Sequence, residues 1–291
     1  PFTGEVWYNT SSNTVKYFGV QAAAWATGGN MSTARDGLGA TGTQTASLAF
    51  GGNPTANNVT NVTEEYNGSS WTNGGNLGTA RRCLAGAGTQ TAGLGFAGYI
   101  VPGQNQVVTE EYNGSAWTGG GNMGTARYKL GGCFGGIGGP TATEEYNGSS
   151  WTGGGNLTTA RNFLAGAGTQ TAGLAFGGGP GSKANTEEYN GSSWTNGGNL
   201  NTARDGLAGC GTQTAGLAFG GSPRPSVGTA TEEYNGTSWT NTTAMPTAKF
   251  YLAGCGTASS ALAMAGQVDA QVATSEEFSG GGPATFTVGS S

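Results

Sequence analysis

TEEYNGSSWTNGGNLNTAR (186–204), continuing as DGLAGCGTQTAGLAFGG to Gly221, is the stretch that decides the fold. Near copies of it recur along most of the chain. The Trp of each copy falls at Trp25, Trp71, Trp117, Trp151, Trp194 and Trp239, at spacings of 46, 46, 34, 43 and 45 residues. A near-constant period of this length marks a repeat architecture. Each copy reads as four short strands. Strand a follows the Arg of TAR and runs through LAGAG-like small residues. Strand b is TAGLAFGG, strand c is TEEYNG, and strand d is SSWT. Asn-Gly recurs between c and d at Asn67, Asn113, Asn147, Asn190 and Asn235. That pair predicts tight hairpins with type I′ turns, in which both central residues take positive φ. No stretch holds a 3.6-residue apolar period long enough for a helix.

Four strands per repeat of this length is the arithmetic of a propeller blade. The residues also resemble the kelch repeat. That repeat has an apolar strand ending in Gly-Gly, then a Tyr, then a Trp shortly after, then a Met-Pro-x-x-Arg-like entry to the next blade. In this chain the matching residues are Leu217-Ala218-Phe219-Gly220-Gly221, Tyr234, Trp239, and Ala244-Met245-Pro246-Thr247-Ala248-Lys249. The likeness covers residues 13 to 280. It implies an all-β, kelch-like β-propeller of four-stranded antiparallel blades and says little about activity. Strand a starts after Arg35, Arg81, Arg127, Arg161, Arg204 and Lys249, which gives six blades. A seventh blade assembled from both termini is the alternative. The third unit lacks the GTQTAGLAF segment and reads as a blade with a trimmed a–b hairpin.

Residues 1–21 read as a hairpin adapter, Glu5–Asn9 against Thr14–Phe18, and residues 22–291 as the propeller. The adapter resembles the small GxxWYNT…KxY hairpin of phage tail-fibre and other virion appendage proteins. After Trp25, ATGGNMSTAR matches the linkers after Trp71 and Trp194. The strand at Ala22–Trp25 is therefore expected as strand d of the last blade, closing the ring from both chain ends and removing open sheet edges. The segment 284–288 is a rival for that place. Pro1 in place of Met points to a processed chain or a piece of a longer one, and no signal peptide is evident.

Composition narrows the function. Glycine supplies 59 of 291 residues, but at fixed repeat positions, so it marks turns and close packing rather than disorder. Charged residues are 9% of the chain and the net charge is −5, which argues against nucleic acid as a partner. No apolar run approaches the length of a membrane span. Of 16 acids, 12 form Glu pairs, beginning with Glu64-Glu65 and Glu110-Glu111. Six of the 11 bases are the strand-a entry residues, so a repeated Glu–Arg bridge between blades is the simplest reading. There are no histidines. The copper site of galactose-oxidase-type kelch enzymes and the Ser-His-Asp arrangement are thereby excluded, and no cofactor or metal is expected. Cys83, Cys133, Cys210 and Cys255 show no C-x-x-C spacing. Cys210 and Cys255 replace the Ala of LAGAG in successive units and read as small core residues.

Comparison of the copies locates the variation. The b–c connections differ in length and residue: Asn53–Val62, Tyr99–Val108, Pro140–Ala142, Gly179–Asn185, Ser222–Ala230 and Gln267–Thr274. So do the positions after each strand-a entry, which include Asp36, Arg82, Tyr128, Lys129, Asn162, Phe163, Asp205, Phe250 and Tyr251. The GTQT and NGSS turns hardly change. In an up-and-down sheet the b–c and d–a turns share one face, so both variable sets converge there, where loops on a rigid scaffold carry binding. The expected function is a non-enzymatic binding or structural module of a virion appendage. It would meet a host-surface glycan or protein receptor and other virion proteins, with homo-oligomerisation left open. A secreted or cell-surface adhesin is the first alternative, and a glycan-active enzyme the second.

Overall fold

The computed structural model describes residues 4–55, 58–128, 141–223 and 227–287, and every regular element among them is a β-strand. The chain begins with β1 (Val6–Asn9) and β2 (Thr14–Gln21), followed by β3 (Ala24–Thr27). The first full repeat is β4 (Gly39–Gly42), β5 (Ser47–Phe50), β6 (Thr63–Tyr66) and β7 (Trp71–Asn73). The second contains β8 (Ala85–Gly88), β9 (Gly93–Phe96), a short hairpin of β10 (Tyr99–Ile100) and β11 (Gln104–Asn105), β12 (Thr109–Tyr112) and β13 (Trp117–Gly119). The third shows β14 (Glu144–Tyr146) and β15 (Trp151–Gly153). Its expected a–b hairpin falls on 129–140, outside the described residues. Two complete repeats follow: β16 (Ala165–Thr169), β17 (Ala172–Phe176), β18 (Thr186–Tyr189) and β19 (Trp194–Asn196), then β20 (Ala208–Thr212), β21 (Ala215–Phe219), β22 (Thr231–Tyr234) and β23 (Trp239–Asn241). The chain ends with β24 (Ala253–Thr257), β25 (Ser260–Met264), β26 (Ser275–Ser279) and β27 (Gly282–Thr287).

Sheets form in sequence order, a to d, as antiparallel meanders. The last one takes its outer strand from the N-terminal region: β3 pairs with β26, with Trp25 opposite Phe278. Strand β27 takes no outer-strand place. It pairs with β2, from Lys16 opposite Thr287 to Gln21 opposite Gly282, and makes a three-stranded sheet with β1. Tyr17 and Phe286 stack there with centroids 5.0 Å apart. The Phe286 ring of β27 thus finds its partner on the hairpin.

The inner strands of successive sheets lie side by side: β4 by β8, β16 by β20, β20 by β24, and β24 by β4. The core is consequently a series of slabs between neighbouring sheets. One slab joins Leu48 and Phe50 of one unit to Leu84 and Tyr112 of the next, and another joins Phe219 to Phe278. Strand b explains itself in these terms. SLAF in β5 is buried at every position because both of its faces meet a neighbouring sheet, so it reads as a continuous apolar run. Trp25, Trp71, Trp117, Trp151 and Trp239 of the outer strands reach back to the preceding unit. Trp117 packs edge-on against Phe50 at 4.8 Å, and its Nε1 donates to Thr63 Oγ1 at 2.9 Å. Such an aromatic pair adds about 0.5–1.5 kcal/mol beyond its area burial.

The c–d turn differs from the sequence expectation. Tyr66 pairs with Trp71, which leaves a four-residue loop rather than a two-residue type I′ turn. Gly68 has φ 90°, while Asn67 is not among the positive-φ residues. Asn67 Oδ1 instead accepts from the N–H groups of Ser69 and Ser70, at 3.0 and 2.9 Å. The Asn is there for its side chain, as an Asx turn.

Candidate functional site

The charged pairs of the repeat account for the joints between sheets. Arg81 shows the arrangement. Its backbone belongs to the preceding unit: its N–H donates to Thr60 O and its carbonyl accepts from Gly52 N–H. Its guanidinium is buried in its own unit, donating to Val108 O at 2.8 Å and lying 3.1 Å from Glu110. The same buried pairs occur at Arg35–Glu64, Arg127–Glu144, Arg161–Glu187, Arg204–Glu232 and Lys249–Glu276. Burial is the first influence on Arg35, Arg81 and Arg204 and pulls each guanidinium down to about 10, against the pull of its Glu partner.

The second Glu of five of the six pairs serves the joint in a way the sequence did not announce. Tyr112 Oη donates to Glu65 Oε1 of the preceding unit at 2.5 Å, and Tyr66, Tyr146, Tyr189 and Tyr234 donate likewise to Glu277, Glu111, Glu145 and Glu188. The GTQT turn, present in four of the units, is a clamp as well. Gln90 Nε2 donates to Ser47 O and Tyr66 O of the preceding sheet, and Gln213 does the same to Gly173 O and Tyr189 O. The constancy of that turn is thus structural.

The variable positions meet on the other end of the sheets. The residue after five of the six entries forms a β-bridge with the start of a b–c connection: Asp36 with Asn53, Arg82 with Tyr99, Asn162 with Gly179, Asp205 with Ser222, and Phe250 with Gln267. The next residues link unit to unit through their backbones. Cys83 N–H donates to Gly37 O, Gly37 N–H to Tyr251 O, Tyr251 N–H to Gly206 O, and Gly206 N–H to Phe163 O. All five have positive φ, between 52° and 63°. Gly37 and Gly206 adopt it freely. Cys83, Phe163 and Tyr251 adopt it against the usual preference of side-chain-bearing residues. Beneath this strand of backbone bonds lie the buried Leu38, Leu84, Leu164, Leu207 and Leu252.

The leucines divide two spaces. On the variable side is a depression of about 70 Å³ with Cys83, Phe163 and Tyr251 in its wall. On the other side is a cavity of about 410 Å³ lined by Gly- and Ala-rich inner strands down to Thr169 and Gln170 of a GTQT turn. The larger space offers shape but few side-chain groups.

Two aromatic clusters stand on the variable face. Phe163 and Tyr251 come from different units and pack at 4.7 Å, and Phe250 joins Tyr251 at 4.6 Å. Tyr128 packs on Tyr99 at 5.3 Å, and the Arg82 guanidinium lies 5.4 Å from the Tyr99 ring centre. Asn162 is exposed. Asp36 and Asp205 are buried. Gln271 Nε2 donates to Asp36 Oδ2 at 3.0 Å, and burial, set against that bond, pushes the Asp36 carboxyl up. These two acids anchor loops and present little to a ligand. Lys129 lies outside the described residues. Tyr99 was legible only as a member of a variable loop. Its position opposite Arg82 in the repeat was the signal that would have singled it out. Compared with known proteins, the chain matches no family model and no curated relative.

Proposed function

We propose that the chain is a six-bladed, kelch-like propeller whose ring is closed by β3, and that it is a non-enzymatic binding module. In this reading the face carrying the b–c connections and strand-a entries meets a surface glycan or protein. The setting is a virion appendage such as a tail fibre or receptor-binding protein, with a secreted or cell-surface adhesin as the alternative. The six repeated charged pairs and the contact of β24 with β4 support the ring. One observation carries the choice of face. Phe163 and Tyr251 hold a left-handed backbone where sister units place Gly37 and Gly206. A large aromatic kept at a position that favours glycine costs about 1–3 kcal/mol, and strain of this kind concentrates at functional sites. Aromatic side chains are also typical interface anchors.

The test is attachment. Tyr128→Ala, Phe250→Ala and Tyr251→Ala together should abolish binding to cells or to a glycan array while the melting profile stays cooperative. Attachment that survives those changes, but is lost with Thr45→Arg and Thr214→Arg on the GTQT turns, would place recognition on the opposite face.

A further inference from the structure

Most of the basic residues outside the repeated charged pairs of this net-negative protein belong, by sequence position, to the variable segments. Six of the 11 basic residues are consumed by buried Glu partners. Of the other five, Arg82, Lys129, Lys183 and Arg224 fall, by sequence position, at strand-a entries or in b–c connections, and only Lys16 lies elsewhere. The acids of the same segments are Asp36, Asp205 and Asp269. The first two are buried, and Asp269 is exposed.

Arg82 is the best-defined of these cations. Its backbone is locked to Tyr99 by a reciprocal pair of hydrogen bonds, at 3.0 and 2.8 Å. Its guanidinium lies over the Tyr99 ring, which in turn packs on Tyr128 of the next unit. Among the described residues it has no carboxylate within ion-pair distance, although it exerts a coulombic pull on Asp36. Stacking on the ring holds the guanidinium in place and leaves its fork of N–H donors available. Such a fork matches a carboxylate or sulfate with two parallel hydrogen bonds. The two half-buried tyrosine rings beside it supply apolar wall and hydroxyl tips.

We propose that Arg82, Tyr99 and Tyr128 form a subsite for an anionic saccharide, one bearing a carboxylate or a sulfate. This rests on the assignment of the variable face as the recognition face and adds the chemical class of the ligand.

The experiment titrates the whole chain with oligogalacturonate, its methyl ester, dextran sulfate and dextran, by calorimetry at two salt concentrations. We expect an acidic probe to bind, its neutral counterpart to bind at least tenfold more weakly, and the affinity to fall with salt. Arg82→Gln should weaken the acidic probe at least tenfold with an unchanged melt, and Arg82→Lys should restore part of it. Binding of oligogalacturonate alone identifies a carboxylate, and binding of dextran sulfate alone a sulfate; each supports the subsite. No binding to either acidic probe, or equal binding of charged and neutral probes, overturns it, as does an unchanged affinity in Arg82→Gln. If dextran or a protein ligand binds and is lost only with Phe250→Ala and Tyr251→Ala, the face stands and the anionic subsite falls. If binding is lost only with Thr45→Arg and Thr214→Arg, both fall.

Discussion

Replacing Arg204 by Met tests the joint between sheets quantitatively. The Arg204 carbonyl accepts from Gly178 N–H of the preceding unit at 2.9 Å. Its guanidinium lies 3.1 Å from Glu232 and donates to Gly220 O, Ala218 O and Ala230 O. Without it, Glu232 keeps the N–H of Asn201 at 2.7 Å and of Thr202 at 3.3 Å but has no counter-charge, with its side chain 0% exposed. Removing one partner of a buried pair costs about 3–5 kcal/mol, a large share of the roughly 5–15 kcal/mol that holds a domain folded. Glu232→Gln should cost less, about 1.5–3 kcal/mol, because the guanidinium retains three carbonyl acceptors. Arg204→Met with Glu232→Leu should recover most of the single-variant loss and stay about 1–2 kcal/mol below the parent, for the carbonyls left without a donor. Lys249 is the chain's own precedent for a weaker joint, with Nζ 3.4 Å from Glu276 and 3.3 Å from Thr274 O. The assay is urea unfolding followed by tryptophan fluorescence, with a constant slope in denaturant. A loss below about 1 kcal/mol for Arg204→Met, or a double variant worse than the sum of the singles, would refute this account of the joints.

Three further outcomes follow from the same contacts. Trp25→Ala removes packing on Phe219 and Phe278 and two Nε1 donations, to Thr231 Oγ1 and Thr243 O. Since the ring is only half-buried, the expected loss is about 2–4 kcal/mol in a thermal or urea melt; no loss would mean that β3 does not complete the last sheet. Phe278→Tyr alone should destabilise by about 1–3 kcal/mol through overpacking, and adding Thr242→Gly should reverse the loss by letting the new hydroxyl reach Glu233; melts that do not separate the two variants would refute this. Tyr112 and Tyr234 are pushed up to about 12, by burial first and then by the Glu each one donates to. Their folded pKa exceeds the unfolded value, so their contribution to stability is complete below about pH 10 and is lost as pH rises toward 12. Phenolate absorbance should show two classes among the ten tyrosines, and a single class near 10 would contradict it.

Much of the fold was legible because each repeat carries its own strand and turn signals, repeated often enough to align. The period of the Trp residues, the Glu pairs and the match of the Trp25 linker to its sisters placed four-stranded sheets and the N-terminal outer strand from residues alone. What escaped were contacts between repeats. GTQT reads as a turn, and nothing in one copy shows its Gln reaching a neighbouring sheet. Asn-Gly predicts a turn type by its φ preferences, while the chain uses the Asn side chain. The deviations of the final units carried an unread signal. A Cβ on Gly197 would come within 2.7 Å of the Tyr234 hydroxyl. The next unit has Thr242 at that place and Phe278, without a hydroxyl, opposite it. Gly198 becomes Thr243, whose Oγ1 donates to Ala23 O at 2.6 Å. The clamp Gln becomes Ala258. All of these changes fall where β3 comes from the other end of the chain, so they are one joint adapted to a different partner strand. The candidate site was legible as a variable face. Which of its residues are buried was not, because Asp36 and Arg82 occupy equivalent positions in the repeat and one is buried while the other is half-buried.

Hydroxyl-radical footprinting of the chain bound to a ligand selected by attachment tests the proposed recognition face most directly. The account predicts protection of Tyr99, Tyr128, Phe163, Phe250 and Tyr251, with the GTQT turns around Thr45, Thr171 and Thr214 as reactive as in the free protein. Protection of those turns with the five aromatics unchanged would contradict it.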